Sequence, residues 1–481
     1  MRTSEDPSAA LGDFHRQRPV WSAAPATDGV EHAEIEVPLD YSSPHGPRLT
    51  IALSRRRAPD PRRRRGVLLA VNGGPGGYFG LGRRFPAALA HTPLSRRYDL
   101  IGFDPRGTGD STPLRAEITD TKAPFDSRPP DADFLAIAED FRAREDGNRR
   151  AGGELRPHFS TRNVARDMET IREVLGESTI NYLGYTYGTY LGAVYGSMFG
   201  SRLDRSVLDS CVHPDWSWRE QLMAQGPANR ANLEAWAGWV AGRDRAFGLG
   251  TTGERVLAAV EEAVDRLAAQ PAGIPLRSLF DGALGNRSAD RARWEELGRM
   301  VAGIRAEGLP AAARWLAAEK VWPPAETEGP TRCGVLDAVT LEKDWPTDLE
   351  VYFDDMRRYR EQYPYGYGVL RAQPWVGAFR SFTPPEKPAE LTRAGFPPGL
   401  VVVADGDPID HPSGGAAMAR LLGHRLVTVR DSGQHEIYAF CGNPAVNALV
   451  NDYLLDGVLP AADVVCPGTV PRPDVPADPT A

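Results

Sequence analysis

Ile180-Asn181-Tyr182-Leu183-Gly184-Tyr185-Thr186-Tyr187-Gly188-Thr189-Tyr190-Leu191-Gly192 is the stretch from which the rest of the chain can be placed. Ile180 to Gly184 reads as a short apolar strand, and Tyr187 to Phe199 reads as a helix that begins directly after it. Between them stands Gly184-x-Thr186-x-Gly188, a hydroxyl residue with glycines two before and two after. That is the spacing of the G-x-S-x-G elbow, where a strand turns sharply into a helix and presents one strained side chain as a nucleophile. The helix N-terminus behind Thr186 would offer free N–H groups and the positive dipole end to an oxyanion. The pattern is weak by itself; the strand before it and the helix after it give it weight.

Working outward, Ile35–Leu39, Leu49–Ala58 and Gly66–Asn72 read as strands of an opening antiparallel meander. Tyr98–Phe103, Arg205–Asp209 and Gly399–Ala404 are short, near-continuous apolar runs, as expected of parallel strands covered by helices on both faces. Arg425–Val429 reads as the last strand, and Asn163–Leu175 and Ala445–Leu455 as helices packed on the sheet. Asn72 to Gly77, with four glycines and a proline, follows a strand where a second oxyanion donor belongs, because glycine lets a backbone N–H face a site unobstructed. In Gly102 to Ser111, Asp104 and Arg106 read as structural ion-pair and turn residues. A proton acceptor is required, and His435, after the last strand, is the one of nine histidines at that topological position. The orienting acid should follow the preceding strand, where Asp405, Asp407 and Asp410 all stand. The order nucleophile, acid, histidine is then satisfied.

The chain has 481 residues, more than one ordinary domain, and its character changes between His213 and Pro385. Amphipathic helical segments dominate there, and nine of the ten tryptophans lie within it, to fill its own core and to line a cavity. The expected organisation is therefore a sheet-and-helix core over 30–212 and 386–470, an inserted helical cap over 213–385, and a proline-rich disordered tail over 471–481. A net charge of −8 argues against nucleic acid or an anionic membrane as a partner. No run approaches about 18 apolar residues, and the N-terminus has no secretory pattern, so a cytoplasmic protein is expected. Cys211, Cys333, Cys441 and Cys466 show no metal-ligand spacing; no metal and no cofactor are expected.

Together these segments resemble the tripeptidyl aminopeptidase and proline iminopeptidase branch of the α/β-hydrolase superfamily. The likeness runs from Val37-Pro38-Leu39-Asp40-Tyr41 through both loops and the elbow to Tyr453-Leu454-Leu455-Asp456-Gly457 and Cys466. It implies an α/β-hydrolase fold, mostly parallel with a large helical cap, and an aminopeptidase acting on a short peptide or small molecule. It also implies oxyanion donors at the N–H groups of Gly74 and Tyr187, and it favours Asp407 as the acid, with Asp410 or Asp405 still open. An acidic cap residue would pair the substrate amine, with Asp337 and the acids from Asp348 to Asp355 as candidates; Tyr185 is a further candidate for substrate contact. Cys441 and Cys466 stand where secreted relatives resemble a disulfide pair.

Thr186 departs from the family's serine. A β-branched residue at the positive φ of an elbow is disfavoured by roughly 1–3 kcal/mol, and its methyl crowds a carbonyl's approach. Threonine nevertheless serves as a nucleophile when a base is at hand. In the resulting scheme Thr186 attacks, His435 accepts its proton, Asp407 holds the imidazole, and Gly74 and Tyr187 stabilise the oxyanion. Two other schemes fit the same residues: an intracellular tailoring enzyme performing acyl transfer, cyclisation or another non-hydrolytic step, and a silent or nucleophile-substituted binding protein.

Overall fold

The computed structural model describes residues 11–24, 27, 29–76, 81–269, 275–319 and 330–479. Gly77 of the glycine loop, Trp322 of the cap and the first ten residues lie outside these. Ten strands form one sheet in the order β1-β2-β3-β5-β4-β6-β7-β8-β9-β10. In chain order they are β1 Ser22–Ala23, β2 Glu31–Pro38, β3 Arg48–Arg56, β4 Val67–Val71, β5 Asp99–Phe103, β6 Ile180–Tyr185, β7 Leu203–Asp209, β8 Leu400–Ala404, β9 Arg425–Arg430 and β10 Val464–Pro467. The pairs β1–β2, β2–β3 and β3–β5 are antiparallel. From β5 through β10 every pairing is parallel.

The three-strand opening meander is therefore corrected. Only β2 and β3 pair as a hairpin; the segment expected as its third strand is β4, which lies between β5 and β6 and runs parallel to both. Its residues Val67-Leu68-Leu69-Ala70-Val71 are buried without alternation, which is the signature of a strand covered on both faces rather than of a half-solvated meander. The sheet also continues past the strand expected to be last, because Val464–Pro467 adds parallel to β9. Four residues with one fully buried side chain leave too short a pattern to read.

Between β7 and β8 the chain makes a series of helices, from Trp218–Met223 to Gly368–Ala372. Trp236, Phe280, Trp294 and Val301 build a core of the insertion's own. Trp218 instead joins the main core, its ring 5.8 Å from that of Tyr187 on the elbow helix. The tail expected to be disordered is held on these helices as far as Asp478. Val475 is buried, its carbonyl accepts from Arg243 Nε at 2.8 Å, and the Asp478 amide donates to Gly242 O at 2.8 Å. Proline removes donors and helical conformations, but an extended segment still binds a groove through its remaining backbone groups and one apolar side chain. Cys441 and Cys466 are both free thiols.

One buried ion pair ties the elements beneath the site. Arg106 Nη2 and Nε meet Asp167 Oδ1 and Oδ2 at 2.6 and 2.7 Å, and both side chains are fully buried. Arg106 also donates to the carbonyls of Pro38, Leu39 and His158, while the Tyr41 hydroxyl donates to Asp167 Oδ1. The pair thus joins the end of β2, the Gly102–Ser111 loop and the helix Thr161–Val174. Asp167→Ala leaves a guanidinium buried and unpaired, so urea unfolding should show a loss of about 3–5 kcal/mol.

Candidate active site

Thr186 stands at φ 49° and ψ −120° between β6 and the helix Tyr187–Met198. This is the strained conformation expected at the elbow, and it is held by its surroundings: the Thr186 N–H donates to Asp209 O at 3.1 Å, and its carbonyl accepts from the Thr189 amide at 2.8 Å. The flanking glycines have a steric reason. A Cβ on Gly184 would lie 2.4 Å from Gly188 O, and one on Gly188 would lie 2.5 Å from Val71 O. Strand and helix backbones therefore approach too closely for any side chain, which is why the glycines bracket the hydroxyl residue.

The glycine loop follows β4 and lies against the same turn. A Cβ on Gly73 would come within 1.8 Å of Thr186 Cγ2 and 2.7 Å of its Oγ1, so the loop backbone packs directly on the threonine side chain. Gly74, the expected donor, is its neighbour and adopts φ +128°, open to glycine alone among common residues. A cleft lined by Asn72, Gly73, Pro75, Tyr187, Val335 and Val339 leads from this loop beneath the helix Pro330–Thr340.

Of the three acids after β8, Asp407 is the one that reaches His435. Its Oδ2 lies 2.9 Å from His435 Nδ1, and its Oδ1 accepts the amides of Ile409 and Asp410 at 2.8 and 3.0 Å. The carboxylate is 1% exposed and the imidazole 23%. Asp405 is occupied elsewhere, accepting the Ser432 amide at 3.0 Å and so shaping the start of the histidine loop. Asp209, at the end of β7, accepts the amides of Ile437 and Tyr438 at 3.1 and 2.7 Å, and Ser210 Oγ accepts the Glu436 amide at 2.8 Å. These two residues, which the sequence did not single out, fix the loop that carries His435; a polar pair closing a buried strand was the available signal.

Asp410, beside Asp407 in sequence, is also buried. Gln221 of the cap donates to its Oδ1 at 2.8 Å, and its Oδ2 is buried without a partner. Burial, with Asp407 adding to it, raises the Asp410 pKa, while His435, Thr186 and Gln221 favour its charged form. Burial opposes the His435 charge, but Asp407, by charge and by hydrogen bond, and then Asp410 and Glu436 outweigh it, holding the imidazole up at about 10. Burial likewise raises Asp209, to about 6. Among the described residues no hydrogen bond joins His435 to Thr186.

Two expected substrate contacts are not at the site. Tyr185 is fully buried, its ring stacked 5.9 Å from Phe85 and its hydroxyl donating to Tyr438 O at 3.0 Å, so it is a core residue of β6. Asp337 is fully buried with both oxygens taken, by Arg144 at 2.7 and 3.0 Å and by Asn148 at 2.7 Å. The acids from Asp348 to Asp355 are also engaged: Asp348 caps its helix, Asp354 pairs with Arg357, and Asp355 pairs with Arg219 and Arg358. Arginines three positions on in sequence were the sign that Asp354 and Asp355 serve structure. Among the described residues no cluster of His, Cys, Asp and Glu could hold a metal ion, and no helix is long and apolar enough to cross a membrane.

Residues 66–258 match the family described as alpha/beta hydrolase fold, and residues 368–466 match the family described as TAP-like protein. Tripeptidyl aminopeptidase of Streptomyces lividans is 33% identical, over 92% of this chain and 85% of its own length. The chain belongs to the tripeptidyl aminopeptidase branch of the α/β hydrolases. Carboxylesterase B of Mycobacterium tuberculosis is 30% identical over 90% of this chain and 86% of its own. Serine protease Hip1 of the same organism is 26% identical over 91% and 87%. In this α/β hydrolase a threonine stands at the elbow, and a second aspartate, Asp410, is buried beside Asp407.

Proposed function

We propose that this α/β hydrolase cleaves a peptide, amide or ester bond of a short peptide or small acyl substrate, with Thr186 as the nucleophile. The observation that carries the reading is the His435–Asp407 pair at 2.9 Å, in the loops that flank a hydroxyl residue strained at an elbow. Thr186 Oγ1 attacks the carbonyl. The N–H groups of Gly74 and Tyr187 receive the developing oxyanion, which the helix dipole behind Tyr187 also favours. The His435–Asp407 pair serves as the acid–base partner that protonates the leaving group and then activates water. Relatives named as an aminopeptidase, an esterase and a protease support the breadth of that bond class.

The test is direct. The protein is incubated with p-nitrophenyl esters and with aminoacyl and peptidyl p-nitroanilides, quenched with acid, digested and analysed by mass spectrometry. Release of p-nitrophenol or p-nitroaniline together with an acyl mass on the peptide containing Thr186 is expected. Turnover with the acyl mass on another residue, or no turnover of any of these substrates, removes the proposal.

A further inference from the structure

Asp407 and His435 stand in separate loops, one after β8 and one after β9, and the 2.9 Å contact between them lasts only while both loops keep their places. The cap lies against both. Asn232, in the helix Gln225–Ala241, donates from Nδ2 to Gly406 O at 2.7 Å, and that carbonyl belongs to the peptide unit carrying the Asp407 nitrogen. Gly406 adopts φ +74°, and a Cβ there would lie 2.4 Å from Asn232 Oδ1, so the amide is seated on bare backbone. The histidine loop is met in the same way. Gly433, two residues before His435, would bring a Cβ within 2.0 Å of Ala289 O of the cap.

Arg291 joins the two contacts. Its Nη1 donates to Asn232 Oδ1 at 2.9 Å and to the carbonyls of Ser288 and Ala289 at 3.1 and 2.9 Å, and its Nε reaches Asp431 Oδ1 at 3.4 Å. Asp431 opens the histidine loop at φ 51°, a conformation that a non-glycine residue keeps only when its surroundings impose it. Its second oxygen accepts from Arg472 of the tail. The guanidinium groups of Arg291 and Arg472 lie 5.1 and 4.9 Å from the Trp294 ring. Asn232 and Arg291 are 1% and 4% exposed. A buried amide and a buried guanidinium are costly to desolvate, and each directs a donor at one of the two loops.

We propose that Asn232 and Arg291 are positioning residues for catalysis: from the cap they fix the acid loop against the histidine loop and so set the Asp407–His435 geometry. The assignment rests on this pair being the acid–base partner of Thr186 and adds no group to the reaction. Proton transfer depends steeply on geometry, and a displacement of about 1 Å can cost about 10²-fold in rate. Asp405 closes the frame from the core side, its Oδ1 accepting the Ser432 amide at 3.0 Å and its carbonyl the Gly433 amide at 2.9 Å. The inserted helices therefore do more than cover the cleft: their seating on Gly406 and Gly433 completes the half of the site that handles protons.

The imidazole itself reports on this arrangement. Protein carrying ¹⁵N-labelled histidine is titrated by NMR without substrate, the His435 signals being identified by their loss in His435→Gln, and kcat and KM are measured on one p-nitroanilide or ester. The charged groups facing His435 are Asp407 and Asp410 on the acid loop, Glu436 on its own loop and Asp209 at the end of β7. Against burial, Asp407 holds the imidazole up at about 10. Asn232→Ala removes no charge, so only a loosened Asp407 contact can lower that pKa. It should do so, speed exchange of the Nδ1 proton with water, and reduce kcat by about 10–10²-fold with KM little changed. Arg291→Lys keeps the charge but not the planar fork, and should give smaller changes in the same direction. Val301→Ala, which opens a cavity in the cap's own core, should lower thermal stability and leave His435 unmoved. The proposal is overturned if His435 titrates as in the wild type in folded Asn232→Ala and Arg291→Lys, or if Val301→Ala moves it equally. This titration needs no turnover, so its failure is distinct from the absence of an acyl mass on Thr186, which would remove the nucleophile and leave the positioning of His435 standing.

Discussion

Thr186→Ala should lower kcat/KM on any turned-over ester or anilide by at least about 10⁴-fold, because removing a triad nucleophile in serine hydrolases costs about 10⁶ in kcat and leaves only oxyanion and binding contributions. The variant loses the oxygen but keeps the fold, since alanine removes a β-branched side chain from a positive φ rather than adding strain. Thr186→Ser tests the methyl. That methyl lies where a Cβ on Gly73 would be 1.8 Å away, so it fills space against the loop expected to bind the oxyanion. Serine frees that space and one χ1 restriction. Its kcat should equal or exceed the wild type, read as a larger pre-steady-state burst. A serine form slower than threonine would mean that the pocket is shaped around the methyl.

The second large effect is expected at Asp407. Asn at this position keeps the hydrogen-bond length but fixes the wrong imidazole tautomer, a change that lowers kcat by about 10⁴ in a serine protease triad. It also removes the leading cause of the raised His435 pKa. The stability consequence has a definite sign. A histidine at about 10 when folded, against an ordinary 6.5, contributes stability that is fully present below pH 6.5 and is lost as pH rises through 10. Urea unfolding at pH 6 should therefore separate wild type from Asp407→Asn more widely than unfolding at pH 10. Equal separation at both would mean that Asp407 contributes through packing alone.

The elbow was legible because its requirement is local. Gly184 and Gly188 are needed by contacts with Gly188 O and Val71 O, and a strand, a hydroxyl residue and a helix in fixed order leave few alternatives. The pairing of His435 with an acid after the preceding strand was legible for a similar reason, since β8 and β9 are parallel neighbours whose following loops meet. Other features depended on neighbours distant in sequence. β4 was expected beside β3 because consecutive strands usually pair, yet β5 comes between them once the helix Leu81–Ala88 returns the chain. Asp337 looked available for an amine until folding brought Arg144 and Asn148, 193 and 189 residues away, onto both its oxygens. The proline-rich tail carried no sign that Val475 would join the insertion's apolar core.

By itself the sequence determined the class of fold, the inserted helical segments and the hydroxyl residue at the elbow, because spacing and chain order express those directly. It could not choose among Asp405, Asp407 and Asp410, three carboxylates within six residues and alike in chemistry. The tertiary structure separated them by direction alone: Asp405 toward the histidine loop's amides, Asp407 toward the imidazole, Asp410 toward Gln221 of the cap. A carboxylate's role is set by which groups fill its few ångströms of surroundings, and those groups come from the cap and the last loop, which only the folded chain assembles.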